Sequence, residues 1–256
     1  RIGALTRRAY QDVRRRRVLV VSHLYPPEAI GGSEVVAFQE AEAWRRRGQE
    51  VRVFCGRIRQ DEPRYALATP VDAAVVRVNL RGSDFDHLIN LNVDRPALQR
   101  QLVRVLEAFQ PDLVHFHNIF ALSARLVDVC RERRIPVVMT LHDYWALCMR
   151  ITMLTVRDEV CQHNGLGCVA CQRTVFETEP TILPVRNTLI KLALRQVGRF
   201  IAPSRYLAER FVAHGFPRER IAVIPNGIDT AGMRVRSRRW RRQGHARLVF
   251  GYLGYL

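Results

Sequence analysis

Four groups of residues in this 256-residue chain have the types and spacing to do chemistry. The first is Gly31-Gly32-Ser33-Glu34, reached from the apolar run Arg17-Val18-Leu19-Val20-Val21-Ser22 through His23 and Tyr25-Pro26-Pro27. A glycine turn that opens a helix presents orphan N–H groups and the positive end of the helix dipole, and without a Cβ its backbone can approach a phosphate. The spacing is not G-x-G-x-x-G, so a nicotinamide or flavin dinucleotide is not indicated. The plainer alternative is a turn before an N-cap serine. The second and third groups are His115, His117 and Asn118, then His142 and Asp143, each following a short apolar run. Ser204-Arg205 and Pro225-Asn226-Gly227-Ile228-Asp229 occupy equivalent places further on. The fourth group is Cys148, Cys161, His163, Cys168 and Cys171, spaced C-x12-C-x-H-x4-C-x2-C. Four thiols with a Cys-x-x-Cys knuckle suit a tetrahedral structural zinc, with His163 as a substitute ligand; reduced thiols, a disulfide or an iron–sulfur centre are the alternatives.

The elements that must position these groups alternate. Apolar runs rich in Val, Ile and Leu at 17–22, 51–55, 74–79, 112–116, 136–141, 199–202 and 220–224 read as strands buried on both faces. Helices fall between them, one over 95–109 with Asp94 as N-cap and Pro111 as stop, another over about 119–133. The pattern predicts an α/β fold with a doubly wound, mainly parallel sheet. In such sheets ligands lie outside the carboxyl ends of the strands, where His23, the glycine turn, His117, His142 and Asn226 all fall. Cys55 and Cys130 read as core thiols.

Charge narrows the class. Lys and Arg number 41 against 24 Asp and Glu, a net +17, and Lys191 is the single lysine. A strongly basic surface attracts nucleic acid, anionic lipid or polyanionic substrates. No recognition-helix motif or aromatic stacking platform accompanies it, so specific nucleic-acid binding is not expected. Lys191, Arg195 and Arg199, spaced i, i+4, i+8 on an expected helix, read as a solvated face or as a patch that docks on an anionic membrane. No apolar run approaches the length of a membrane span and no secretory signal opens the chain, which begins at Arg1. A cytoplasmic protein, with a peripheral place on the inner membrane face, is the expectation. Residues 230–256 contain no acid, crowd six arginines around Trp240, and end in Leu248-Val249-Phe250-Gly251-Tyr252-Leu253-Gly254.

Taken in order, Tyr25-Pro26-Pro27 through Glu34, Pro111-Asp112-Leu113-Val114-His115-Phe116-His117, Thr140-Leu141-His142-Asp143-Tyr144-Trp145, and Ala202-Pro203-Ser204 through Asp229 resemble the N-terminal half of a family 4 glycosyltransferase of the GT-B fold. The resemblance implies two Rossmann-like domains facing across a cleft, the first holding the acceptor and the second most of a nucleotide-diphosphate sugar. On it, residues 1–229 are the N-terminal domain with an insert at about 146–183, 230–247 a basic linker, and 248–256 the first strand of a truncated C-terminal domain. It implies retaining transfer of a sugar to a glycan, lipid-linked or small-molecule acceptor, without a required divalent metal. The leaving diphosphate would assist deprotonation of the acceptor on the same face. Gly31, Gly32, Asn226 and Gly227 would face the donor diphosphate. His142 would sit beside the transferred sugar, and His117, Asn118, Asp143 and Arg205 would face the acceptor. The acidic pair and the cationic groups that hold the diphosphate would lie in the C-terminal domain, so this chain alone is not expected to transfer sugar. A basic, zinc-stapled binding module for anionic lipid or nucleic acid is the rival reading. A nucleotide-sugar epimerase on the same architecture is a third.

Overall fold

The computed structural model describes residues 15–28, 31–85, 93–162, 168 and 182–228. Seven strands, β1 (Arg17–Ser22), β2 (Glu50–Ile58), β3 (Val75–Leu80), β4 (Leu113–Phe116), β5 (Val137–Thr140), β6 (Arg199–Ala202) and β7 (Ile221–Val223), form one sheet. Its order is β3-β2-β1-β4-β5-β6-β7 and every pair is parallel. The helices are α1 (Gly32–Arg46), α2 (Pro96–Phe109), α3 (Leu126–Glu132), α4 (Ile182–Leu194) and α5 (Arg205–Ala213). The expected doubly wound α/β sheet is therefore present. The chain leaves β1 toward β2 and β3, then returns to lay β4 on the other side of β1. The crevice between the ends of β1 and β4 is thus the switch point at which such sheets bind ligands.

Alternation along each strand sorts the core into two layers. Leu19, Val21, Phe54, Val114 and Phe116 face the larger layer, which takes in Leu98, Leu102, Val105, Leu106 and Phe109 of α2. Val18, Val20, Val53 and Cys55 face Ala37 and Ala41 of α1. Val20 pairs with His115, so His115 points to the α1 side, and His117 two residues on continues that side.

Three expectations need correction. Gly31, not Ser33, is the N-cap of α1; Glu34 at N3 reaches back to accept the Gly31 N–H at 2.8 Å. Pro96 at the first position sets the start of α2, so Arg95 is its N-cap, and Asp94 instead accepts from Gln99 and Arg125. The helix expected over 119–133 is helical only over 126–132. Upstream, the Ser123 hydroxyl donates to the Val93 carbonyl at 2.9 Å and accepts from the Arg125 N–H, which holds 119–125 as turns. A smaller departure concerns the basic series. α4 ends at Leu194, and Arg199 begins β6 with its guanidinium on the Glu219 carbonyl, so Lys191, Arg195 and Arg199 do not share one helix.

After β3, a 3-10 turn (Gly82–Phe85) carries Asp84, whose side chain is wholly buried. It accepts from Arg64 and Arg95, from the Tyr65 hydroxyl at 2.8 Å and from the Arg81 N–H at 2.7 Å. The expected linker and terminal strand, residues 230–256, lie outside the described residues, as do Asp229, His163 and Cys171. No helix among the described residues is long and apolar enough to cross a membrane.

Candidate active site

The glycine turn is locked from beneath by Glu34. Its side chain is 1% exposed; one oxygen receives the Gly31 N–H and the other meets His23 Nε2 at 2.7 Å. Burial would raise the Glu34 pKa, but the His23 hydrogen bond and charge, with backbone N–H donors, outweigh it and take it down to about 2. His23 Nδ1 lies 3.0 Å from the Asn118 carbonyl, so both ring nitrogens face oxygen acceptors. The backbone of His23 is tied equally tightly: its N–H donates to Asn118 at 2.6 Å and its carbonyl accepts from Gly56 at 3.0 Å. A Cβ on Gly56 would lie 2.5 Å from that carbonyl and 2.3 Å from Leu80, so the close approach requires glycine there. A Cβ on Gly32 would meet nothing within 4 Å. As the first residues of α1, Gly32 and Ser33 have N–H groups without helical partners.

Three imidazoles continue from this point. His117 Nδ1 lies 3.0 Å from His142 Nε2, and His115 Nε2 lies 2.8 Å from the Thr140 hydroxyl. Burial holds His142 down at about 4 and His115 at about 3, and depresses His117 well below the usual range, with neighbouring imidazole charge adding to the last two. All three rings are therefore neutral at pH 7. The Glu34 charge acts upward on His142, against the larger effect of burial.

Asp143 stitches the next turn. It accepts the Trp145 N–H at 2.7 Å and the Asn118 amide at 2.9 Å, while burial pushes its pKa up. Behind it stands Arg186 of α4, 1% exposed, which donates to the Trp145 carbonyl at 3.1 Å and to Asn187 at 3.0 Å; burial lowers it to about 10. A small pocket opens among His117, Asn118, His142, Asp143 and Trp145.

The structure thus brings together Gly31, Gly32, His117, Asn118, His142 and Asp143 at the switch point. Arg205 is exposed at the first turn of α5, after β6, and Asn226 and Gly227 are exposed after β7, on the next strands along the same edge. Cys148, Cys161 and Cys168 are partly buried and in no disulfide among the described residues, where they do not converge as a metal-ligand group. Sequence reading included Glu34 in the glycine motif without giving it a role, and did not single out Glu40 or Arg186. For Glu34 a signal existed: Gly-x-x-Glu at a helix start is the second half of a capping box. Arg186 carried none.

No curated protein matches the chain. Among solved structures it is similar to the UDP-GlcNAc 2-epimerase of Neisseria meningitidis, with 14% identity over 81% of this chain and 46% of that one at a TM-score of 0.42. It is also similar to an α,α-trehalose-phosphate synthase (UDP-forming) from Burkholderia vietnamiensis (14%, 84% and 49%, 0.47) and to sucrose-phosphate synthase from Thermosynechococcus elongatus (16%, 82% and 48%, 0.44). The chain spans about half the length of these structures. The model of the family described as Glycosyltransferase Family 4 matches residues 30–231, most of the chain and every strand after the first, and the chain belongs to that family.

Proposed function

We propose that this chain forms the acceptor-side half of a retaining glycosyltransferase, which moves a sugar from a nucleotide-diphosphate sugar to a glycan, lipid-linked or small-molecule acceptor. One observation carries the reading. The glycine turn and His142, far apart in sequence, come to the switch point of the sheet together: Glu34 and His23 fix the turn against Asn118, and Asn118 donates to Asp143, the residue next to His142. In this reading Gly32 and Ser33 present their N–H groups toward the donor diphosphate. His142 lies against the transferred sugar. Because burial keeps its ring neutral, it offers a hydrogen bond and a dipole to developing positive charge without repelling it. His117 is wholly buried behind it and acts as a positioning residue. Asn118 and Asp143 set the acceptor wall, and Arg205, Asn226 and Gly227 face the cleft from the adjoining strands. Among the solved structures similar to this chain, one is bound to UDP-GlcNAc and one to UDP-2-fluoro glucose.

The diphosphate itself takes up the acceptor proton, so no protein nucleophile is assigned. The main grip on the donor belongs to the expected C-terminal domain. Exposed Val185, Leu189 and Leu192 on α4, beside Lys191 and Arg195, support docking on an anionic inner-membrane surface at the cytoplasmic side. The test is His142→Ala in a chain that carries the C-terminal domain. Turnover should fall about 100-fold or more while the melting temperature stays put. Unchanged turnover would remove His142 from the chemistry and the reading with it.

A further inference from the structure

We propose that Glu40, His115 and His117 bind a single divalent transition-metal ion, zinc foremost, one imidazole behind His142. His115 and His117 project from alternate positions of β4 onto the α1 side, where Trp44 stacks on His115 at 5.8 Å and Glu40 lies one turn before it. Glu40 Oε2 is 3.5 Å from His115 Nδ1 and 3.5 Å from His117 Nε2, and the three ligand atoms lie within 4.8 Å of one another.

A separation of 3.5 Å is too long for a good hydrogen bond. It is close to the roughly 3.4 Å that separates two ligands of a tetrahedral ion bound at about 2.1 Å. His117 Nε2 is buried and has no hydrogen-bond partner, and it is aimed at this point. An orphaned buried nitrogen is costly unless something occupies the space in front of it.

The surrounding groups complete the case. Each imidazole uses its other nitrogen on a fixed partner, His115 on Thr140 and His117 on His142, as metal-bound histidines do. Burial keeps both rings neutral, so each has a lone pair to give. The Glu40 side chain is 33% exposed, which leaves a path for the ion and a position for water. Two imidazoles and one carboxylate form a borderline-soft set suited to zinc, cobalt or nickel rather than magnesium or calcium. With the ion on Nε2, the His117 proton is fixed on Nδ1 and donates to His142 Nε2. His142 then carries its own proton on Nδ1. The site would therefore set the His142 tautomer, although it stands independently of the transfer reading.

The experiment is cobalt(II) and zinc titration of the 256-residue chain after chelator treatment. Parallel titrations use Glu40→Gln and a chain with Cys148, Cys161, Cys168 and Cys171 all changed to Ser. The four-serine chain, which keeps only the core thiols Cys55 and Cys130, should still bind one cobalt per chain, with visible bands of four-coordinate nitrogen and oxygen ligation and no thiolate-to-cobalt charge transfer. Glu40→Gln should weaken that binding beyond the roughly 10- to 100-fold cost of losing an outer-sphere partner. Its circular dichroism should stay unchanged, because Glu40 is partly exposed on a helix. Should the four-serine chain misfold, metal analysis of Glu40→Gln in the otherwise unaltered chain must fall by one equivalent. Full binding by Glu40→Gln, or cobalt bound only through thiolate, overturns the proposal.

Discussion

The Asp84 carboxylate is wholly buried and receives Arg64, Arg95, the Tyr65 hydroxyl and the Arg81 N–H, whereas the Glu40 carboxylate meets His115 and His117 only at 3.5 Å. Both lie on the polar side of a core built from the same sheet, yet one is saturated and the other faces an orphaned nitrogen. The Asp84 cluster ties the turn after β3 to the start of α2 through Arg95 and to the segment before β3 through Arg64 and Tyr65. Its full satisfaction leaves nothing for a ligand to do. The imidazole cluster has capacity left over, at the point where the topology directs ligands. Unspent hydrogen-bonding capacity, rather than burial or charge alone, separates the two.

The largest expected effect falls on the saturated side. Asp84→Ala strands the buried guanidinium of Arg95 and should cost about 3–5 kcal/mol in stability, read as a shift in the urea midpoint. A loss under about 1 kcal/mol would show that the cluster is not the fastening it looks to be. Glu34 stands between the two cases, satisfied by its neighbours yet part of the site. Its folded pKa of about 2 lies below its ordinary 4.5, so its contribution is complete above about pH 4.5 and is lost as pH falls through about 2. The shift corresponds to about 3 kcal/mol. At pH 7 Glu34→Gln should be less stable by about that amount, and the gap should close between pH 4.5 and 2; parallel curves for the two proteins would refute it. The smallest effect on stability belongs to Gly32→Ala. Its Cβ meets no neighbour, so the chain should change by under about 1 kcal/mol, in the stabilising direction. Donor affinity in the chain with its C-terminal domain should fall at least about tenfold, since the new methyl stands where a diphosphate approaches. Unaltered affinity would detach the glycine turn from the donor.

Much of the fold was legible because parallel strands buried on both faces read as plain apolar runs, and all seven expected strands are present within a few residues of their expected bounds. The helix over 119–133 misled because its apolar periodicity is real, while the Ser123 hydroxyl diverts the first turns. The site was half legible. His117, Asn118, His142 and Asp143 stood out as polar groups at strand ends. Glu40 did not, because a carboxylate in the middle of an amphipathic helix looks like solvent-facing charge. Only the register of β4 beneath α1, a tertiary fact, brings it to the histidines. Arg186 was hidden for the same reason: nothing local marks a cation on α4 for burial against Trp145.

The backbone of His23 joins Gly56 within β2 and Asn118 after β4, and Asn118 in turn holds Asp143 after β5. The turns after β1, β4 and β5 are therefore cross-braced through His23 and Asn118, with β2 tied in at Gly56. A scaffold knotted in this way cannot vary the lengths of those turns independently. New specificities must arise by exchanging side chains on a rim of constant geometry, or in excursions that leave the sheet further out, as residues 144–162 do. The constraint that makes the rim rigid also decides where this molecule can evolve.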